Sequence, residues 1–165
     1  MLFRSAGLGF YETFNGKNKN ENNLVHIIIN KHPTLINILL SYVHTDYFTN
    51  QDSNGNTIFH ILAKNNNIHE IREHIGILKQ LINIKNNTGD TVPIVAAKYG
   101  HELLLRYLLK IGCDTNICDN NGNTIFHYIC MNNMCFGFTV VNKENNYGFR
   151  PSDYTDFKTY WNFIY

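Results

Sequence analysis

Apolar residues recur along the middle of the chain at intervals of three and four, the period of one face of an α-helix. One stripe lies in the segment 102–111 and consists of Leu104, Leu105, Leu108 and Leu109. A second stripe runs from 71 to 82 and consists of Ile71, Ile75, Leu78 and Ile82. Gly112 follows the first stripe at the place of a helix C-cap. Each stripe therefore predicts an amphipathic helix that packs one face against a core.

Polar turns separate these stripes from shorter apolar segments, and the turns are copies of one another. The segment 52–60, D-S-N-G-N-T-I-F-H, recurs at 119–127 as D-N-N-G-N-T-I-F-H, and 86–94 is a third version. The threonines at 57, 91 and 124 are 34 and 33 residues apart, and His26 precedes His60 by another 34. Glycine supplies a positive φ in each turn, and the threonine can cap a helix through its hydroxyl. We therefore predict one repeated unit, with a helix beginning at each threonine and a second helix after it.

The unit resembles the ankyrin repeat, which carries a G-x-T-P-L-H-x-A-A core, a G-H between its helices and L-L-x-x-G-A-D-x-N at its end. The third unit matches in register at Gly89, Thr91, Ala96, Ala97, Gly100, His101, Leu108, Leu109, Gly112, Asp114 and Asn116. Only the T-P-L-H element departs, because the proline stands one place late at 93. A proline in the first helical turn is tolerated, since the N–H that it lacks has no partner there. The resemblance implies an all-α ankyrin-repeat solenoid of about four and a half repeats.

The resemblance covers 22–154 and divides the chain as follows. We predict an N-terminal tail at 1–21, a degenerate capping repeat at 22–51, repeats at 52–85 and 86–118, a shortened repeat at 119–145, a partial repeat at 146–154 and an aromatic C-terminal cap at 155–165. The second repeat gains one residue, which we place near Asn66. After Met131 no helical stripe is sustained, so the fourth repeat is expected to lack its second helix. The aromatic cap is expected to fold over the last inner helix.

In ankyrin proteins the turn tips and the exposed inner-helix positions line a concave surface that contacts a partner protein. Carried over by register, these positions are Ser53, Asn54, Asn56, Lys64, Asn65, Asn87, Thr88, Asp90, Lys98, Tyr99, Asn120, Asn121, Asn123, Met131 and Asn132. Tyr99 and Met131 are the expected anchors, because aromatic or adaptable apolar side chains in a polar surround are typical of binding hot spots. A structural interpretation of the tip asparagines stands beside this one: asparagine tolerates the left-handed backbone of a turn.

Composition narrows the classes of partner. The chain has 14 basic and 13 acidic residues and a formal charge of +1, so no long-range field gathers nucleic acid or an anionic membrane. Apolar runs are much shorter than a membrane span, and the N-terminus lacks the pattern of a signal peptide. We therefore expect a monomer in a reducing cytoplasm that binds a protein and has no cofactor, small-molecule substrate or enzymatic activity.

A metal-binding or catalytic domain around 113–135 is the alternative of another class. Cys113, Cys118, Cys130 and Cys135 have C-x4-C spacing twice, with His127 nearby. Against this, Cys113 stands at the alanine of G-A-D and Cys130 at a small helix position, both expected to be buried. The segment 69–74, H-E-I-R-E-H, departs from H-E-x-x-H because glutamate stands at 73. In the ankyrin family the histidine at His26, His60 and His127 is structural and bonds the neighbouring turn, which leaves no placed catalytic base.

Asparagine accounts for 26 of the 165 residues, a composition that indicates an AT-rich genome. Together with the ankyrin resemblance, this looks like the short ankyrin proteins of large DNA viruses, which act in the host cytoplasm or nucleus. Effectors of intracellular bacteria are the other source that fits. Some of the viral proteins resemble IκB and intercept NF-κB factors, which makes an IκB-like inhibitor the finer alternative by analogy.

Overall fold

The computed structural model describes residues 24–42, 48–134, 139–155 and 162–164. The predicted tail at 1–21, Cys135 and most of the aromatic cap lie outside the described residues. Two compact units divide the chain, Met1–Leu81 and Ile82–Tyr165, and each is described by itself. We call them unit 1 and unit 2.

Unit 1 consists of helices connected by short turns. Its elements are α1 (Leu24–Lys31), a 3-10 turn (Pro33–Leu35), α2 (Ile36–Tyr42), α3 (Ile58–Lys64), α4 (Ile68–Glu73) and α5 (Ile75–Leu81). The inner helix α1 packs against the inner helix α3. Val25, Ile29, Phe59 and Leu62 have no exposed surface and belong to the core of this unit. Burial of these apolar side chains holds together helices that are too short to be stable alone.

The second predicted stripe forms two helices and not one. His74 separates α4 from α5, and its backbone N–H still bonds the carbonyl of Glu70. The extra residue of this repeat lies in the outer-helix segment between 67 and 86, so its predicted place near Asn66 is wrong. Asn66 has a φ of 58° and follows Thr57 by the same nine residues by which Gly100 follows Thr91. The inner helix and its turn therefore keep their length, and the helix break accommodates the insertion.

Unit 2 contains α6 (Val92–Lys98), α7 (Glu102–Lys110), α8 (Ile125–Met131), β1 (Thr139–Val141), a 3-10 turn (Pro151–Tyr154) and β2 (Asn162–Ile164). The inner helix α6 packs against α7 and α8, and the 3-10 turn packs on α8. Leu104, Leu105 and Leu108 are fully buried, which confirms the predicted stripe of α7. Each inner helix that follows a predicted threonine cap begins at the next residue, as expected.

Beyond α8 the described residues contain a pair of strands. Strand β1 pairs in parallel with β2, with Val140 opposite Phe163. The all-α ankyrin architecture is confirmed, and this short pair is an addition to it that the sequence did not predict. Residues 156–161 of the aromatic cap are not described, so its placement over the inner helix stays a prediction.

Candidate functional site

The first residue of each repeated turn is an aspartate or asparagine, and its side chain stabilises the turn by hydrogen bonds. The Oδ1 atom of Asp52 accepts the backbone N–H groups of Asn54 and Asn56 at 2.9 and 2.8 Å. Equivalent pairs of bonds form at Asn86, Asp119 and Asn145 in unit 2. The glycines in these turns have φ between 75° and 80°, as predicted: Gly55, Gly89, Gly122 and Gly148.

The tip asparagines do not adopt the left-handed backbone. Among the described non-glycine residues only Asn66 and Asn133 have a positive φ, and both follow inner helices. The conformational interpretation of the tips is therefore wrong, because glycine already occupies the position in each turn that needs a positive φ.

Hydrogen bonds between successive turns explain the tip asparagines of unit 2. Asn120 donates its backbone N–H to the carbonyl of Thr88 at 3.0 Å and its side-chain Nδ2 to that of Asn87 at 2.9 Å. One turn later, Asn146 donates the same two groups to the carbonyls of Asn121 and Asn120, each at 3.0 Å. We call this repeated pair of bonds the turn ladder. It is a structural use of residues that the sequence assigned to a partner.

Glycine is required for the close approach that the ladder needs. A Cβ atom on Gly89 would lie 2.4 Å from Oδ1 and 2.6 Å from the backbone nitrogen of Asn120. A Cβ on Gly122 would lie 2.5 Å from Oδ1 of Asn146. The turns of unit 2 therefore stack with a backbone contact that a larger residue would prevent.

Lys98 lies in a cluster of polar side chains beneath the turns of unit 2. Its Nζ donates to both carboxylate oxygens of Asp90, at 2.7 and 2.8 Å, and lies 3.7 Å from Oδ2 of Asp119. The hydroxyl of Tyr128 donates to the same Asp119 oxygen, and burial together with this bond raises the pKa of Tyr128 well above its usual range. Asn123 donates Nδ2 to the Tyr128 hydroxyl at 3.3 Å.

This cluster corrects two of the predicted binding positions. Asp90 and Asn123 are buried, with 5% and 6% of their surface exposed, so they cannot line a partner surface. They were assigned by register to an exposed position, but the next turn packs over them. Buried polar groups need partners within the fold, and the Lys98 cluster supplies those partners.

The C-terminal ends of the inner helices carry the predicted anchors. Tyr99 is 51% exposed and stacks on His101 with ring centroids 6.1 Å apart, and Met131 is 36% exposed. Asn132 is exposed, but its Nδ2 donates to the carbonyl of Ala97 at 2.7 Å. It therefore fixes the end of α6 near Tyr99.

The predicted positions of unit 1 are Ser53, Asn54, Asn56, Lys64 and Asn65. All are exposed except Asn56, which is half-buried and donates Nδ2 to the carboxylate of Asp52 at 3.3 Å. Asn65 donates Nδ2 to the side-chain oxygen of Asn30 at 3.1 Å. These residues repeat the pattern of unit 2, in which an asparagine at an inner-helix end bonds the preceding repeat.

Two of the recurring histidines connect their inner helix to the following turn. The Nε2 atom of His26 donates to the carbonyl of Asn56 at 2.9 Å, and that of His127 to the carbonyl of Phe149 at 3.1 Å. The other ring nitrogen of His127 accepts the backbone N–H of Thr124 at 3.1 Å. Burial lowers the pKa of both His26 and His127, which favours the neutral ring that this arrangement needs. The structural role implied by the resemblance is confirmed.

The cysteines occupy positions set by packing. Cys113 and Cys130 are buried as predicted, and burial raises the pKa of their thiols to about 11 and about 12. Metal binding and nucleophilic attack both need a thiolate, which these sites disfavour. In the described ranges, no three His, Cys, Asp or Glu side chains come together as metal ligands would, and Cys135 lies outside those ranges.

Comparison with known proteins agrees with this geometry. A family model described as ankyrin repeats (three copies) matches residues 71–142. The chain therefore contains ankyrin repeats. It is 31% identical over 117 residues to an ankyrin repeat protein of fowlpox virus (strain NVSL), covering 68% of this chain and 19% of the relative. A second ankyrin repeat protein of that virus is 34% identical over 62 residues, covering 37% of this chain and 33% of the relative. The chain thus spans a fifth to a third of these relatives.

Ankyrin repeats form interaction modules that bind proteins and are generally not catalytic. In the ranges that the structure describes, the helices are too short or too polar to cross a membrane. The assignment of a partner surface must therefore come from the exposed side chains.

Sequence reasoning missed two exposed aromatic residues in the turn 145–149. Tyr147 is 68% exposed and Phe149 is 51% exposed. The sequence predicts the start of a partial repeat at this turn, but the predicted partner positions end at Asn132 and do not include it. Extending the register from Asn121 and Asn123 would have found both.

Proposed function

We propose that the chain binds a partner protein through Tyr99 and Met131, at the C-terminal ends of the neighbouring helices α6 and α8. The main support is that Tyr99 exposes half of its surface. Its segment is held in place by stacking on His101 and by the hydrogen bond from Asn132 to α6. A rigid aromatic side chain contributes contact area at a low entropic cost. Met131 adds an adaptable apolar surface on the adjacent inner helix.

The exposed polar residues at the turn tips of unit 2 include Thr88, Asn120 and Asn121, and we propose them as the rim of the interface. In unit 1, taken by itself, the exposed positions Ser53, Asn54, Lys64 and Asn65 stay predicted contact residues. In unit 2 the ladder uses Nδ2 of Asn120. Among the described residues, the side chain of Asn121 bonds only through Oδ1, which accepts the Tyr147 hydroxyl at 3.2 Å. The amide NH2 of Asn121 is therefore the better candidate for a hydrogen bond to a partner.

Affinity capture from lysates of candidate host cells tests the proposal. We expect Tyr99→Ala and Met131→Ala each to reduce recovery of the partner at least tenfold, as loss of a hot-spot side chain does. Leu103→Ala is the matched control, because Leu103 is 75% exposed on the outer helix α7. Full capture by both anchor variants, with their helical spectra unchanged, would contradict the proposal.

The relatives support a finer version, in which the chain is a viral factor that acts on a host protein in the cytoplasm or nucleus. Free thiols such as Cys113, Cys118 and Cys130 are stable in those compartments. By analogy with IκB-like viral proteins, an NF-κB-type transcription factor is the specific partner to test. Purified NF-κB subunits should bind the unaltered chain and should not bind the Tyr99→Ala variant. Binding to another protein alone would exclude this finer version and leave the interaction module.

A further inference from the structure

The turn 145–149 has the backbone of the other turns but a different surface. Tyr147 and Phe149 stand at the register positions of Asn121 and Asn123. Asn123 is buried beneath the next turn, whereas Phe149 is 51% exposed and Tyr147 is 68% exposed. A repeat surface that faces only water is expected to be polar. Two exposed aromatic residues in one five-residue turn therefore indicate a contact surface.

The turn ladder defines the polar chemistry of this surface. At each step, two successive backbone carbonyls accept one backbone N–H and one side-chain NH2 from an asparagine in the next turn. Asn87 and Thr88 accept the first step, and Asn120 and Asn121 accept the second. Asn146 and Tyr147 hold the same two places in the 145–149 turn. In the described part of the chain no donor reaches their carbonyls, so the ladder ends in two open acceptors.

The surroundings of the open acceptors are apolar and locally neutral. Phe149 lies 5.8 Å from the ring of Tyr154, and the hydroxyl of Tyr147 bonds back to Asn121. The nearest ion pair joins Arg150 to Glu144 at 2.7 Å and is internally balanced. A charge on the partner would therefore add little here, whereas amide donors would fit the carbonyls and an uncharged surface would fit the rings.

We infer that the 145–149 turn docks a turn of an ankyrin repeat from another protein molecule. The docked turn carries an asparagine that donates its backbone N–H to the carbonyl of Tyr147 and its Nδ2 to that of Asn146. Tyr147 and Phe149 cover this contact with aromatic surface. The site is separate from Tyr99 and Met131 and does not depend on the function proposed for them.

Symmetric pairing of two copies through this edge does not satisfy the same chemistry. Both edges would present carbonyl acceptors, and two carbonyls cannot hydrogen-bond each other. The occupant must therefore supply donors, as the second turn of each ladder step does within unit 2.

A cyclised peptide with the sequence of residues 118–124, C-D-N-N-G-N-T, serves as the probe. We expect it to shift the amide resonances of residues 146–149 in the intact ¹⁵N-labelled chain at roughly 1 mM peptide, the range expected for two hydrogen bonds and a small apolar contact. A control peptide with alanine at the place of Asn120 lacks the side-chain donor and should bind at least tenfold more weakly.

The matched protein variant carries Tyr147→Ala and Phe149→Ala, which removes the aromatic cover and leaves the backbone carbonyls in place. It keeps the turn and should lose binding at least tenfold, whereas Leu103→Ala on the outer helix α7 should bind the peptide normally. The inference is overturned if the resonances do not shift, or if the control peptide or the double variant shifts them equally. Two results without peptide would also overturn it. Contacts from residues 156–161 to Phe149 would show that the chain's own tail occupies the edge, and concentration-dependent shifts would show that a second copy does.

Discussion

Replacement of Lys98 by methionine tests whether the polar cluster of unit 2 stabilises the fold. Lys98 was predicted to contact a partner, but its ammonium group lies between the carboxylates of Asp90 and Asp119. The side chain of Lys98 is 27% exposed, whereas those of the two aspartates are 7% and 0% exposed. Methionine preserves the apolar stem and removes the charge, so the two buried carboxylates would lose their cation.

The expected loss follows from the burial of the pair. Removing one partner of a buried ion pair costs roughly 3–5 kcal/mol, because the remaining charge stays desolvated. Water reaches part of Lys98 and offsets some of this penalty. We therefore expect Lys98→Met to lower the free energy of unfolding by about 2–3 kcal/mol.

Urea denaturation followed by circular dichroism measures this loss. Lys110→Met is the control, since Lys110 is exposed in the last turn of α7, and its effect should stay within about 0.5 kcal/mol. Adding Asp90→Asn to the Lys98 variant should recover part of the stability, because one uncompensated carboxylate is neutralised. If Lys98→Met costs no more than Lys110→Met, the structural role of this lysine is refuted.

Three further predictions concern the turns. Asn120→Ala should lower the free energy of unfolding by about 1 kcal/mol through loss of a ladder bond, whereas the exposed Asn116→Ala should change it by less than about 0.5 kcal/mol; equal effects in urea titrations would contradict the ladder. Gly89→Ala and Gly112→Ala both place alanine at a φ near 80°, but only Gly89 would clash with the next turn, so its thermal midpoint should fall further; equal falls would contradict the close turn contact. Burial lowers the pKa of His127 below its ordinary 6.5, so its stabilising contribution is present above pH 6.5 and is lost as the pH falls below that value. The thermal midpoint of the His127→Gln variant should therefore depend less on pH between 7.5 and 5.5 than that of the unaltered chain. An unchanged pH dependence would refute this.

The repeats could be predicted because their signals are local. A glycine, a capping threonine and a short apolar segment lie within a few residues, so the inner helix starts at 58, 92 and 125 followed from the sequence. The place of the inserted residue could also have been found by counting from Thr57 to Asn66. The helix break at His74 has no proline to announce it, and Gly76 lies two residues later, inside the next helix. The regular spacing of the apolar stripe across 71–82 therefore predicts one helix, and the break was missed.

The candidate site was harder to predict because exposure at a turn depends on what packs over it. Asn121 and Asn123 are two residues apart in one turn, yet only Asn121 is exposed. The sequence shows the same residue type at both positions and cannot distinguish them. Lys98 similarly reads as a surface lysine until the fold brings Asp119 close to it.

We propose that unit 2 binds a partner through exposed Tyr99, while the tip asparagine Asn120 stabilises the fold. The most direct measurement compares partner affinity and urea stability for Tyr99→Ala and Asn120→Ala in parallel. Our account predicts that Tyr99→Ala loses affinity at unchanged stability, and that Asn120→Ala loses stability while the folded fraction retains full affinity. The reverse pattern, with affinity lost in Asn120→Ala and kept in Tyr99→Ala, would contradict it.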